Sequence, residues 1–143
     1  MAKFLDLRTS QNASYANSIS VPILVVDEPQ LVGVIGLSTI EAGANIRVIL
    51  QGTVSLQLPL VPAVTSVTIE VFRGTTPDSP LVYSATQNMD LNLLTPQVFT
   101  VNALDFQPPN DDIEIAYSMY VSVSALGVVR VGPECFSGLA ASD

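Results

Sequence analysis

The residues able to do chemistry are few, and most are acids. Asp105, Asp111, Asp112 and Glu114 gather around the turn Gln107-Pro108-Pro109-Asn110-Asp111-Asp112. Two carboxylates on either side of a glycosidic bond can hydrolyse it, one as acid and one as base or nucleophile. The same hard oxygens suit calcium, although the spacing is not that of an EF-hand loop. The plainer reading is an acidic turn held in water. Histidine is absent from all 143 residues, which removes the commonest general base and the commonest zinc ligand. Ser-His-Asp and Cys-His arrangements are thereby excluded. The sequence contains no G-x-S-x-G elbow, no P-loop and no G-x-G-x-x-G. We expect no catalytic residue, no cofactor and no metal site, so the chain reads as a non-enzyme.

One cysteine, Cys135, forbids an internal disulfide and leaves two roles: an inert thiol, or a bond to another subunit. Tyr15, Tyr83 and Tyr120 could line a carbohydrate platform if they share a surface, and otherwise pack in a core or an interface. The basic residues are Lys3, Arg8, Arg47, Arg73 and Arg130. They are scattered along a chain of net charge −8, which argues against a nucleic-acid partner.

Elements must hold these residues, and the strongest is Ile46–Leu60. Its even positions (Ile46, Val48, Leu50, Gly52, Val54, Leu56, Leu58, Leu60) are apolar and its odd ones mostly polar. Period-two alternation of this length predicts a strand running the height of a β-sandwich. Gly52 on the inward side predicts a bulge or bend. Further strands are predicted at 21–26, 31–40, 64–73, 81–85, 97–106, 113–125 and 128–131. The stretch 88–95 reads as a loop with one helical turn. The tail Glu134–Asp143 shows no clear periodicity. About eight strands with regular turn signals and no amphipathic helix predict one all-β domain, a jelly-roll-like antiparallel sandwich. An Ig-like sandwich is the alternative, without its tryptophan and cysteine-pair hallmarks.

Residues 1–20 read differently. Beyond Phe4, Leu5 and Leu7 the stretch TSQNASYANSIS is polar and aperiodic, a composition that does not order alone. It is expected to be an N-terminal arm, with 21–143 as the folded domain. The arm packs either on its own domain or on a neighbouring subunit. Charged residues make up 13% of the chain against 48% hydrophobic, which is too little charge to cover a well-solvated monomer. Burial of outer surface in an assembly answers that, as would a compact domain with a hydroxyl- and amide-rich surface. There is no apolar leader and no transmembrane-length run. Synthesis in a cytoplasm and no membrane insertion are therefore expected.

The arm TSQNASYANSIS, the run GANIRVILQGTVSLQ and the late strand IAYSMYVSVSAL resemble bacterial spore-surface proteins. The likeness is to exosporium jelly-roll domains and especially to Ena-type endospore appendage subunits. That resemblance implies a structural subunit that assembles into an extracellular fibre by strand augmentation and N-terminal arm docking, in contact with itself and with other spore-surface proteins. It implies release by lysis of the mother cell, hence no signal peptide, and a final place on the spore surface. Phe4, Leu5, Leu7, Ile19, Val21 and Ile23 are then the expected inter-subunit contacts. The arm lacks the cysteines of the better-known appendages, so Cys135 alone could cross-link subunits. The alternative is a trimeric TNF-like binding module, an exosporium or phage-fibre head that recognises a glycan or receptor.

Overall fold

The structure is a computed structural model and describes residues 2–110 and 113–143. Its strands are β1 (Lys3–Ala13), β2 (Val21–Pro22), β3 (Gln30–Ser38), β4 (Arg47–Gln57), β5 (Ser66–Arg73), β6 (Leu81–Asn88), β7 (Gln97–Phe106), β8 (Glu114–Val123), β9 (Val129–Arg130) and β10 (Glu134–Ser142). No helix occurs among the described residues.

The pairing is nested. β1 pairs β10, β3 pairs β8, β4 pairs β7 and β5 pairs β6, all antiparallel. This is one long hairpin folded over on itself. Contacts of β10 with β4 and of β5 with β8 close it into two sheets. Sheet A runs β1–β10–β4–β7 and sheet B runs β3–β8–β5–β6. At one end of sheet A, β9 takes over from β10 along β4, and β2 pairs with β9. The result is the expected all-β jelly roll, with two Greek-key sheets packed face to face.

Alternation places the core. Val48, Leu50, Val54 and Leu56 of β4 face Val67, Ile69 and Val71 of β5 and Tyr117, Met119 and Val121 of β8, all nearly or wholly buried. Each such aliphatic side chain contributes roughly 1.5–3 kcal/mol relative to exposure. Gly52 makes no bulge. Its strand keeps register through that residue on both flanks. A Cβ there would lie 2.2 Å from the Met119 sulfur, so the glycine makes room for a side chain of the other sheet.

Several expectations are corrected. The central strand is shorter than Ile46–Leu60, because its pairing ends at Gln57 ahead of Pro59. Of 21–26 only Val21 and Pro22 pair, and Leu24, Val25 and Val26 are exposed. The stretch 88–95 holds no helical turn: the Asp90 carboxylate accepts the Asn92 N–H at 2.9 Å and closes an Asx turn instead. Of the two packings open to the arm, residues 3–13 take the one on their own domain: they are edge strand β1, paired with β10 from Lys3↔Ser142 to Ala13↔Glu134 with register shifts at Leu5 and Asn12. Polar side chains suit an edge strand with one face in water, while Ala13 is buried and Leu5 packs against the core.

Candidate assembly surface

The acids do not form one site. Asp105 of β7 points inward and accepts Arg73 Nε at 2.8 Å and Arg73 Nη2 at 2.7 Å. The Tyr117 hydroxyl donates to the same carboxylate at 2.7 Å. Arg73 ends β5 and Tyr117 lies in β8, so the cluster ties sheet A to sheet B. Burial, with the Asp105 carboxylate, holds the Tyr117 hydroxyl far above its ordinary range, which keeps it a donor. The bond to Asp105 likewise raises the Arg73 guanidinium. Glu114 is exposed in β8 of sheet B, beside Gly36. Asp111 and Asp112 lie outside the described residues. Asp105 and Glu114 thus belong to opposite layers, and the carboxylate that looked free already has its cation.

A second buried cluster sits toward the other end of β4. Arg130 Nε donates to Glu134 Oε2 at 2.9 Å, and Arg130 Nη2 donates to Glu134 Oε1 and to the Leu31 carbonyl. Asn12 donates to Glu134 Oε1 at 3.0 Å and to the Val32 carbonyl. Arg130 stands opposite Leu56 and Asp105 opposite Val48, eight residues or about 26 Å apart along β4. Breaking such a buried pair from one side costs about 3–5 kcal/mol. The remaining basic residues are also paired: Lys3 with Glu41 at 3.9 Å, Arg8 with Asp6 at 3.0 Å and Arg47 with Asp143 at 2.9 Å. All five lie in strands. Among the described residues no buried side-chain polar atom lacks a hydrogen-bond partner. These clusters are held internally by other side chains.

The tyrosines do not make a platform. Tyr15 is exposed in the loop after β1, and Tyr83 packs against the core from β6. Tyr120 lies on the outer side of sheet B under the loop 74–80. There its hydroxyl donates to the Thr75 carbonyl at 2.8 Å and its ring meets Phe72 edge-on at 5.7 Å.

One uncovered apolar surface that lies on a regular sheet is the outer face of sheet A. Its cross-strand register produces aligned rows. One row is Leu7–Leu139–Ile49–Leu104, and the next toward the start of β4 is Phe4–Ala141–Arg47–Phe106. Phe4 is 62% exposed, Leu7 53%, Ile49 47%, Leu104 71% and Phe106 65%. The following rows are polar: Thr9–Ser137–Gln51–Asn102, then Gln11–Cys135–Thr53–Thr100. Shallow hollows of about 250 Å³ flank Ile49, one lined by Leu7, Ser137 and Leu139, the other by Leu104 and Phe106.

Of the expected contact residues, Phe4 and Leu7 stand on this face, and Val21 is exposed on β2. Leu5 packs against the chain's own core. Ile19 is half-buried and its N–H bonds the Val131 carbonyl. Ile23 is 2% exposed and packs in this chain's own core. Cys135 is a free, half-buried thiol on the polar rows of the same face. Ile49, Leu104 and Phe106 were not singled out from the sequence. Their signal is apolar residues on both parities of β4 and β7, where a half-buried strand should show them on one.

No family model matches the sequence, and no curated protein matches it. Among solved structures the chain is similar to dimeric latent PorU from Porphyromonas gingivalis, at 9% identity and a TM-score of 0.56. The match covers 99% of this chain and 13% of the PorU chain, so the chain spans about an eighth of that protein. It also aligns with a chain of the T13 particle of the infectious bursal disease virus, IBDV, at 11% identity, a TM-score of 0.42 and 96% and 35% coverage. At such identities the PorU likeness is one of fold.

Proposed function

We propose that the chain is a non-enzymatic structural subunit that self-assembles into an extracellular fibre of the spore-appendage kind, by strand augmentation and arm docking. The observation that carries this reading is the placement of β1. It is the first strand, at the edge of sheet A, bound to the rest chiefly through its ladder with β10. The loop 14–20 joins it to β2. An edge strand on such a loop can make the same ladder with β10 of a neighbour at little cost, since each bond lost within the chain is regained between chains. The exchange is head-to-tail and therefore open to a growing filament. The free outer edge of β1 offers unpaired backbone groups for augmentation. The spore-surface location and release by lysis follow from the resemblance of the sequence.

The test is to lock β1 in place. Thr9 and Ser137 are directly opposed, within disulfide reach for a cross-strand pair. In a Cys135→Ser background, Thr9→Cys with Ser137→Cys is expected to give fibres in electron micrographs when reduced and none when oxidised. Fibres that form equally well from the locked protein would eliminate arm docking, and an unlocked protein that never polymerises would eliminate the fibre.

A further inference from the structure

We infer that the outer face of sheet A is a contact between two copies of this chain, packed sheet against sheet about a two-fold axis, with Ile49 at its centre. The inference rests on the reading of the chain as self-associating and names a surface that strand exchange does not use. Three observations select a second copy as the occupant.

The first is charge. The chain carries −8, so two copies repel unless they meet on a neutral surface. Across the outward positions of β1, β10, β4 and β7 the single charged side chain is Arg47, already paired with Asp143 at 2.9 Å. An anionic membrane or a nucleic acid would need free cations there, and a basic partner would need acids. A copy of the same neutral face needs neither.

The second is size. The four strands run side by side from Arg47 to Thr53 of β4, a face of about 19 by 23 Å, near 440 Å². That suits a weak contact, which buries less than about 600 Å² per partner. The Leu7 and Phe4 rows supply the apolar centre, and the Thr9 and Gln11 rows the polar rim.

The third is shape. Ile49 stands between two hollows on its own face. A two-fold contact presents each projection to the partner's hollow, which is how sheets pack with interdigitated side chains at about 10 Å.

The experiment uses the full chain. Light scattering of the parent at tens of micromolar should give a dimer mass or a multiple of it. Ile49→Glu places a carboxylate at the centre of the contact and should weaken association by about 100-fold or more, with the melting temperature of the monomer unchanged because Ile49 is half-exposed. Ile49→Cys in the Cys135→Ser background should give a covalent dimer on oxidation. A parent that stays monomeric, as it would if the face served a different partner, overturns the inference. So does an Ile49→Glu protein that associates like the parent. Micrographs of the same variant separate the two proposals: fibres without dimers sink this one alone, and dimers without fibres sink the fibre alone.

Discussion

The two outer faces of the sandwich treat their aromatic side chains differently. On sheet B the large side chains Phe72 and Tyr120 are covered, because the loop 74–80 folds over them. Its Gly74 and Thr75 carbonyls accept the Ser118 and Tyr120 hydroxyls at 2.7 and 2.8 Å. On sheet A none of the described residues covers Phe4, Leu7, Ile49, Leu104 and Phe106. Sheet B covers its aromatic rings with a loop and leaves the smaller Leu31, Val34 and Leu81 part-exposed, while sheet A leaves its largest outward side chains open. The two-fold contact proposed above would cover that face.

The contrast can be broken by stripping sheet B. Tyr120→Ala removes the edge-on ring contact and the tether to Thr75, and is expected to cost about 3 kcal/mol in denaturant unfolding. Ile49→Ser, an equally drastic change in polarity on sheet A, should shift unfolding by no more than about 0.5 kcal/mol. Equal costs on the two faces would show that sheet A is covered within the chain after all.

The cover itself depends on Gly74, whose φ is +143° and whose added Cβ would lie 2.1 Å from the Ser79 hydroxyl. Gly74→Ala should cost about 2 kcal/mol and raise dye binding to newly exposed apolar surface at sheet B. A variant as stable as the parent would mean that the loop is not held by that turn.

Acid gives the smallest effect and sharpens the contrast from the other side. Asp6 accepts the Ser38 N–H at 2.8 Å, which together with Arg8 holds its carboxyl below the ordinary range. Asn45 and Arg47 do the same for Asp143. A depressed folded pKa stabilises fully above the unfolded value near 4 and is lost as pH falls through the folded value. Both groups belong to the rim of sheet A. Protection of the Ser38 amide, taken relative to its intrinsic exchange rate, should therefore fall as the pH drops below about 4, while amides shielded by the loop over sheet B change less. Uniform loosening of both sheets would refute this.

Much of the fold was legible because its core strands alternate. β7 has the expected bounds, and β8 differs by a residue or two at each end. The strands that escaped, β1 and β10, are partners, and they escaped for one reason. The inward positions of β10 are Glu134, Phe136, Gly138, Ala140 and Ser142, all buried. Gly138 is small because Ile35 and Leu50 fill the space above it, with a Cβ there lying 2.6 and 2.8 Å from them. Glu134 is inside because Arg130 meets it there. A hydrophobic period cannot reveal a strand whose core side is made of gaps and a neutralised acid. The candidate surface was hidden by the converse. In QVFTVNALDF both parities are apolar, so alternation alone could not say that Phe106 faces out while Asp105 faces in.

The pairing of every basic residue within a strand bears on digestion. Trypsin cuts after Lys and Arg in backbone that can leave its neighbours and enter a cleft. Lys3, Arg8, Arg47, Arg73 and Arg130 all sit in sheet ladders, and none lies in a loop. A trypsin cut therefore waits for a sheet to open, and its rate reports the population of the opened state. A protease that reads glutamate meets Glu41, exposed and outside the strands. The same molecule is thus durable to one class of enzyme and open to another, through where the sequence places its charges.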